Sequence, residues 1–152
     1  GFVYTNNKQF ENGLNMYLQG LKYYPNDLNL NFYAGDVYYA AGKFDACIPY
    51  LEKAVEVNKT FLDAYYLLGS AYLQLNNLDY ANDECQIMMK LNKEHAKTKD
   101  LCSAVQQRIM QKQIQEQMDR DMIQQQIDET QRMTDQSMAE SGMGTPIAGM
   151  GI

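Results

Sequence analysis

The chain has 152 residues, 45% of them hydrophobic, and this composition suits one domain with a buried core. Its formal net charge of −6 argues against nucleic acid and anionic lipid, which are bound by surfaces rich in Lys and Arg, and favours a neutral or basic protein partner. No apolar run approaches the roughly 18 residues of a transmembrane helix, so we expect no membrane insertion.

A spacing of 34 residues recurs from the first residue onward. A shift by 34 residues aligns seven sets of positions: Gly1, Gly35 and Gly69; Tyr4, Tyr38 and Tyr72; Phe10, Phe44 and Leu78; Gly13, Cys47 and Ala81; Tyr17, Leu51 and Cys85; Gly20, Ala54 and Met88; Leu21, Val55 and Met89. Seven aligned sets are hard to obtain by chance, and a period of this length is typical of stacked structural repeats. Because Gly1 lies in the middle of a repeat, we expect the chain to be cut from a longer protein.

Each repeat shows the pattern of two helices. Apolar residues recur at spacings of three and four from Leu30 to Ala41, which places them on one helical face. Gly42 then predicts the helix end, and the same spacing resumes from Phe44 to Val55. We therefore predict antiparallel helix hairpins whose apolar stripes are buried by stacking on their neighbours.

The repeat fades after residue 95. Leu101, Val105 and Ile109 keep an apolar stripe while the larger residues disappear, which predicts a capping helix over 96–110. Residues 111–140 are rich in Gln, Met and acidic residues without Gly or Pro, so we predict that the helix continues. This extension is either a solvated helix or a surface for self-association or a second partner. The Gly-rich residues 141–152 predict a disordered tail.

The three cysteines, Cys47, Cys85 and Cys102, are odd in number and contain no CxxC pair. A secreted domain held together by disulfides usually has an even number of cysteines. We therefore expect three buried structural thiols and favour a reducing compartment, the cytoplasm. His95 is the only histidine, and no cluster around it has the spacing of metal ligands. We therefore predict a chain with no catalytic site, no metal and no cofactor.

The 34-residue spacing and the residue types at it resemble the tetratricopeptide repeat (TPR) family, from Gly1 to about Arg108. Two units carry the matching residues: Ala34, Gly35, Tyr38, Gly42, Phe44, Cys47 and Ala54, then Tyr65, Leu68, Gly69, Tyr72, Leu78 and Ala81. The resemblance implies an all-α, right-handed superhelix of antiparallel helix pairs with a long C-terminal helical extension. The predicted parts are the end of a truncated repeat (1–27), two full repeats (28–61 and 62–95), the capping helix (96–110), the extension (111–140) and the tail (141–152).

The resemblance also implies a binding surface. In the family, the edge of each first helix beside the packing stripe lines a groove that takes extended or helical peptide segments. We call the corresponding residues here the first-helix edge: Asn29, Phe32, Asp36, Tyr39, Asp63, Tyr66, Ser70, Leu73 and Asp100, with Lys97, Ala104 and Gln107 beside Asp100 on the last helix. Its aromatic residues and leucine offer apolar contact, and its aspartates favour Lys or Arg on the ligand.

One subgroup of the family clamps the C-terminal carboxylate of heat-shock chaperones with Lys, Asn and Arg. The corresponding positions here carry Phe32, Asp36, Asp63 and Leu67, so we expect no such clamp in these repeats. The leading hypothesis is a scaffold or adaptor that binds an apolar or basic segment of a partner protein. Two alternatives stay open: a dedicated chaperone similar to the small acidic TPR proteins of type III secretion, and a self-assembling structural protein in which the extended helix or tail of one copy occupies the groove of the next.

Overall fold

A computed structural model describes the backbone of residues 2–141 and the side chains of residues 8–141. Over that span the chain forms six α-helices and no strand: α1 (Phe2–Tyr23), α2 (Leu28–Ala40), α3 (Phe44–Val57), α4 (Leu62–Gln74), α5 (Leu78–Asn92) and α6 (Ala96–Ser141). The prediction of an all-α helical repeat fold is confirmed. Of the tail predicted to be disordered, only Ser141 belongs to the described residues, and it ends α6.

The chain divides into two compact units, the first ending at Ile109 and the second beginning at Met110. In the first unit, α2 packs with α3 and α4 packs with α5 as hairpins, and α2 also contacts α1 and α4. Side chains from α3 to α6 fill its core, among them the fully buried Leu51, Leu68, Met88 and Val105. No helix in the described span is long and apolar enough to cross a membrane.

Both hairpins turn through a residue with a positive φ angle. Gly42 (φ 76°) and Asn76 (φ 59°) occupy equivalent positions of the two repeats. In each turn the next residue closes the helix end, because the N–H of Lys43 donates to the Tyr38 carbonyl (2.9 Å) and that of Asn77 to the Tyr72 carbonyl (2.8 Å). This is the hydrogen-bond pattern of a helix that ends in a left-handed residue, which Gly adopts freely and Asn tolerates.

The N-terminal partial repeat differs from the alignment. The alignment places Tyr4 on a first helix and Phe10 on a second helix, whereas the structure has the single helix α1 over both positions. Lys8 occupies the position of Gly42 and Asn76. Because a lysine side chain disfavours the left-handed conformation that the turn needs, the helix continues through this position.

Two glycines allow neighbouring helices to approach closely. A β-carbon added at Gly35 would lie 2.6 Å from Leu51 Cγ, and one added at Gly69 would lie 2.5 Å from Leu101 Cδ2. Real side chains essentially never show such distances, so a side chain at these positions of α2 and α4 would force Leu51 or Leu101 to move. The resulting contacts join α2 to α3 and α4 to the start of α6.

Asn31 and Tyr65 stand at equivalent positions, and the exchange of Tyr for Asn predicts a looser contact in the earlier repeat. In the structure, both side chains instead donate to a carbonyl at the equivalent position of the turn that precedes their own repeat. Asn31 Nδ2 donates to the Pro25 carbonyl (3.0 Å), and Tyr65 Oη donates to the Lys59 carbonyl, one repeat later (3.0 Å). A second hydrogen bond from Asn31 reaches the Asp27 carbonyl (2.8 Å), so the expectation of a looser contact is wrong.

The expectation of three structural thiols is also wrong. Cys47 is a buried thiol, but Cys85 and Cys102 form a disulfide between α5 and α6. The two residues lie nearly equidistant from the turn between Asn92 and Ala96, and an antiparallel hairpin brings such residues face to face. The preference for a reducing compartment therefore loses its basis.

The second unit, described from Met110 to Ser141, is helical and its side chains are exposed. Glutamines donate to carboxylates one turn later, as from Gln115 to Asp119 (2.9 Å) and from Gln117 to Asp121 (2.8 Å). Such pairs at a spacing of four stabilise a solvated helix by roughly 0.2–0.5 kcal/mol each. The predicted helical extension is thus present as the last part of α6.

The turn geometry predicts opposite effects of alanine at a glycine in the left-handed turn, Gly42, and at a glycine inside a helix, Gly13. Gly42→Ala should lower the free energy of unfolding by about 1–2 kcal/mol, because alanine is strained at a positive φ. Gly13→Ala is the matched control, since a β-carbon there lies in an ordinary contact 3.9 Å from Tyr17. That change should raise the free energy of unfolding by about 0.5–1 kcal/mol through better helix propensity. Urea unfolding measures both, and shifts of the same sign would contradict this account of the turn.

Candidate functional site

The first-helix edge is carried by α2, α4 and the start of α6, and an ion pair joins its last two helices. Lys97 Nζ lies 2.7 Å from Asp63 Oδ1 and 5.6 Å from the centre of the Tyr66 ring. Lys97 follows Asp63 by one repeat, as Asp63 follows Asn29, so the three residues occupy equivalent positions along the edge. The cation therefore belongs to the surface that the sequence indicates to be acidic.

Asp36 is the second carboxylate near this cation. Partial burial raises the pKa of Asp36 above its usual range, and the positive charge of Lys97 opposes that shift. Because Lys97 is hydrogen-bonded to Asp63, its charge compensates Asp36 only from a distance. These three residues leave one negative charge in excess, and Asp36 is the exposed carboxylate that carries it.

The aromatic residues of the edge are half-buried and held by packing. The Phe32 ring lies 4.7 Å from the Phe61 ring, and the Tyr39 ring meets Phe44 edge-on at 5.3 Å. Burial also raises the pKa of the Tyr39 hydroxyl, and a hydrogen bond with Ser70 opposes that shift. Contacts of this kind fix the rings before any ligand arrives.

The other predicted residues of the first-helix edge differ in how much of their side chain is exposed to solvent. Tyr66 and Leu73 are half-buried against the core, while Asn29 and Asp100 are exposed. Ser70 is only 8% exposed, so it supports Tyr39 and offers little surface to a ligand. The binding role of the whole set stays a prediction.

Sequence reasoning places Lys97 on the first-helix edge but predicts neither its ion pair with Asp63 nor the contribution of Phe61. The repeat period holds the signal for Lys97, since it stands 34 residues after Asp63. Phe61 lies in the turn before α4, where no periodic pattern indicates which way a side chain points.

A separate cavity lies between α1 and α2, away from the first-helix edge. It has a volume of about 270 Å³, and its apolar lining includes Phe10, Leu14, Val37 and Tyr38. Val37 and Tyr38 lie on the predicted packing face of their helix, and the repeat pattern does not predict the cavity.

His95 has a local structural role. Its Nδ1 accepts a hydrogen bond from the backbone N–H of Lys97 (3.1 Å), which satisfies a free donor at the start of α6. Among the described residues, no group of three His, Cys, Asp or Glu side chains is arranged to hold a metal ion.

Glu84 is the strongly perturbed carboxyl of the first unit. Burial, with the nearby charges of Asp83 and Glu52, raises its pKa to about 7. Its Oε2 is buried without a hydrogen-bond partner, and Tyr72 Oη donates to Glu52 (2.7 Å) and not to Glu84. This carboxyl is therefore protonated more readily in the folded chain than in the unfolded chain.

That shift predicts a pH-dependent stability. Because the folded pKa is raised from 4.5 to about 7, the stabilisation from Glu84 is complete below pH 4.5 and is lost as the pH rises through 7. Glu84→Gln should therefore raise the free energy of unfolding at pH 8 by about 1 kcal/mol, a figure reduced for solvent screening. Urea unfolding at pH 5 and pH 8 measures this, with exposed Glu11→Gln as the control. Equal effects of Glu84→Gln at the two pH values would refute it.

Comparison with known proteins agrees with the helical repeat fold of the first unit. Residues 35–76 match a family model described as TPR repeat. The first TPR of Spaghetti (RPAP3), solved with the HSP90 peptide SRMEEVD, is 19% identical with a TM-score of 0.64, over 72% of this chain and 87% of that one. The TPR domain of Sgt2 from Aspergillus fumigatus is 17% identical with a TM-score of 0.64, over 74% of this chain and 76% of that one.

MamA is 28% identical with a TM-score of 0.62, and the match covers 66% of this chain but only 59% of MamA. No curated protein gives a significant match to the sequence. The resemblance on which the expected fold rests is therefore supported by a family model and by solved structures alike.

Proposed function

We propose that this chain, which is a tetratricopeptide repeat protein, is a non-catalytic interaction module that binds an apolar or basic segment of a partner protein along its first-helix edge. One observation carries the proposal: packed aromatic side chains lie beside a carboxylate, Asp36, whose charge is not fully compensated. A scaffold or adaptor needs a surface of this kind.

The aromatic residues supply contact area at low entropic cost. Phe32 and Tyr39 are held by Phe61 and Phe44 at ring distances of 4.7 Å and 5.3 Å. Side chains that are ordered before binding lose little freedom when a ligand arrives, and rigid aromatic anchors contribute strongly to binding.

The charges favour a cation on the ligand. Lys97 is occupied by Asp63 at 2.7 Å, so a ligand carboxylate would have to compete with that ion pair and approach Asp36 as well. The first TPR of Spaghetti (RPAP3) is bound to an acidic HSP90 peptide. The charges of Asp36, Asp63 and Lys97 do not favour an acidic ligand on this chain. A Lys or Arg beside Asp36 would gain a partner without breaking one.

The test uses a displayed library of extended peptides, selected on the purified chain and then measured by fluorescence anisotropy. We expect binders with apolar residues and a Lys or Arg. Phe32→Ala combined with Tyr66→Ala should weaken binding by about tenfold or more, as for interface hot spots. Tyr23→Ala combined with Tyr24→Ala is the control, because these exposed tyrosines lie outside the first-helix edge.

Charge reversal provides a second arm. Asp36→Lys should shift the selected peptides from basic to acidic, since it adds a cation where the wild type has a carboxylate. All variants are measured well below their melting temperatures, because Phe32 and Tyr66 are half-buried. Binding that survives both the double substitution and the charge reversal would move the site elsewhere.

Self-association through the second unit is the alternative that an observation favours. Met110, Ile114, Met118 and Met122 are between 54% and 61% exposed, and they follow one another at a spacing of four on α6. Exposed apolar rows of this kind mark interaction surfaces.

Light scattering on the full chain and on a chain ending at Met110 tests this alternative. Self-association predicts an oligomer for the full chain and a monomer for the shortened one. Two monomers at high concentration would leave the peptide-binding module as the surviving hypothesis.

A further inference from the structure

We propose that the Cys85–Cys102 disulfide is a reversible thiol-exchange site for dithiol reductants, and that opening it loosens residues 96–109 and withdraws Lys97 from the first-helix edge. The part concerning the first-helix edge rests on the proposed function, whereas the exchange site does not. The argument starts from where the two sulfurs lie.

The bond joins α5 to the start of α6. The two Cα atoms are 5.4 Å apart, within the usual range for a disulfide. Cys85 is completely buried, whereas Cys102 is partly exposed. Solvent therefore has access to the bond from the side of Cys102 and not from that of Cys85.

Besides the disulfide, the start of α6 is held by three buried side chains and by exposed hydrogen bonds such as that from Arg108 to Asn76 (3.3 Å). Thr98, Leu101 and Val105 are its buried side chains, and Leu101 fills the space that Gly69 leaves open. From Met110 onward the helix belongs to the second unit, where the described side chains are exposed. The last element of a compact unit opens locally at lower cost than its centre, so a covalent link there has a large effect on local opening.

The exchange proceeds in two steps. A thiolate of the reductant attacks the Cys102 sulfur, forms a mixed disulfide with it and expels the Cys85 thiolate. The second thiolate of the reductant then attacks its own sulfur in the mixed disulfide and expels the Cys102 thiolate. The reductant leaves as a cyclic disulfide after giving two electrons, and each cysteine thiolate takes up one proton.

The structure accommodates the reduced state. Cys102 Sγ lies 3.6 Å from the Cys85 carbonyl oxygen, which can accept a hydrogen bond from the Cys102 thiol. The third cysteine stays outside this chemistry, because burial raises the pKa of Cys47 to about 11 and its thiol donates to the Phe44 carbonyl (3.0 Å). Cys47 is therefore a matched control residue.

Loosening α6 acts on the first-helix edge through Lys97. Lys97 lies in the first turn of α6, and its Nζ is 2.7 Å from Asp63 Oδ1 on α4. When residues 96–109 open, Asp63 loses its ion-pair partner, and α2 and α4 are left with the uncompensated carboxylates of Asp36 and Asp63. Basic peptides should then bind more strongly relative to neutral ones.

The experiment compares the oxidised full chain, the chain treated with a dithiol, and the variants Cys102→Ser and Cys47→Ser. Alkylation in denaturant, read by intact mass, should show one free thiol before reduction and three after it. Amide hydrogen exchange in residues 96–109 should rise about tenfold or more on reduction, relative to residues 62–74, as expected when a closed loop is opened. Cys102→Ser should show the raised exchange without reductant, and Cys47→Ser should behave as wild type.

Three alkylated thiols in the untreated chain, or unchanged exchange in residues 96–109 after reduction, would overturn the exchange site. The affinity for a selected basic peptide relative to its neutral analogue separates the two proposals. Raised exchange with an unchanged affinity ratio overturns the link to the first-helix edge. Absence of peptide binding in both redox states overturns the proposed function and leaves the exchange result standing.

Discussion

The close approach of helices at two glycines is the constraint on which the first unit depends. At Gly35 and Gly69 a β-carbon would collide with Leu51 and Leu101, so α2 and α4 lie this close to their neighbours because these positions lack a side chain. Close packing at these points gives the core its density, and core side chains tolerate little change in volume. The first-helix edge depends on the same contacts, since α2, α4 and α6 carry it.

Equivalent positions of the two repeats perform the same task with different side chains. Gly42 and Asn76 both turn the chain through a positive φ, and Asn31 and Tyr65 both donate to a carbonyl of the preceding turn. Residue type therefore varies where a backbone conformation or a hydrogen bond can be met in more than one way. Lys8 shows the limit of this tolerance, because at that position α1 continues without a turn.

The start of α6 serves three purposes. Leu101 and Val105 complete the core, Lys97 compensates the carboxylates of the first-helix edge, and Cys102 joins the helix to α5. A change in how firmly this segment is held therefore reaches the core and the candidate binding surface together. That coupling is the physical basis for linking the disulfide to ligand choice.

The sequence by itself determined the repeat, the helix pairs, the glycine turn at residue 42 and the members of the first-helix edge, because these follow from periodicity and local backbone preference. Only the tertiary structure decided which side chains interact: the ion pair of Lys97 with Asp63, the ring contact of Phe32 with Phe61, and the disulfide of Cys85 with Cys102. It also buried Ser70, which the pattern places on the surface edge. A periodic pattern specifies the face of a helix on which a residue lies. The partner it meets depends on how separate helices pack, and that depends on contacts between residues distant in the chain.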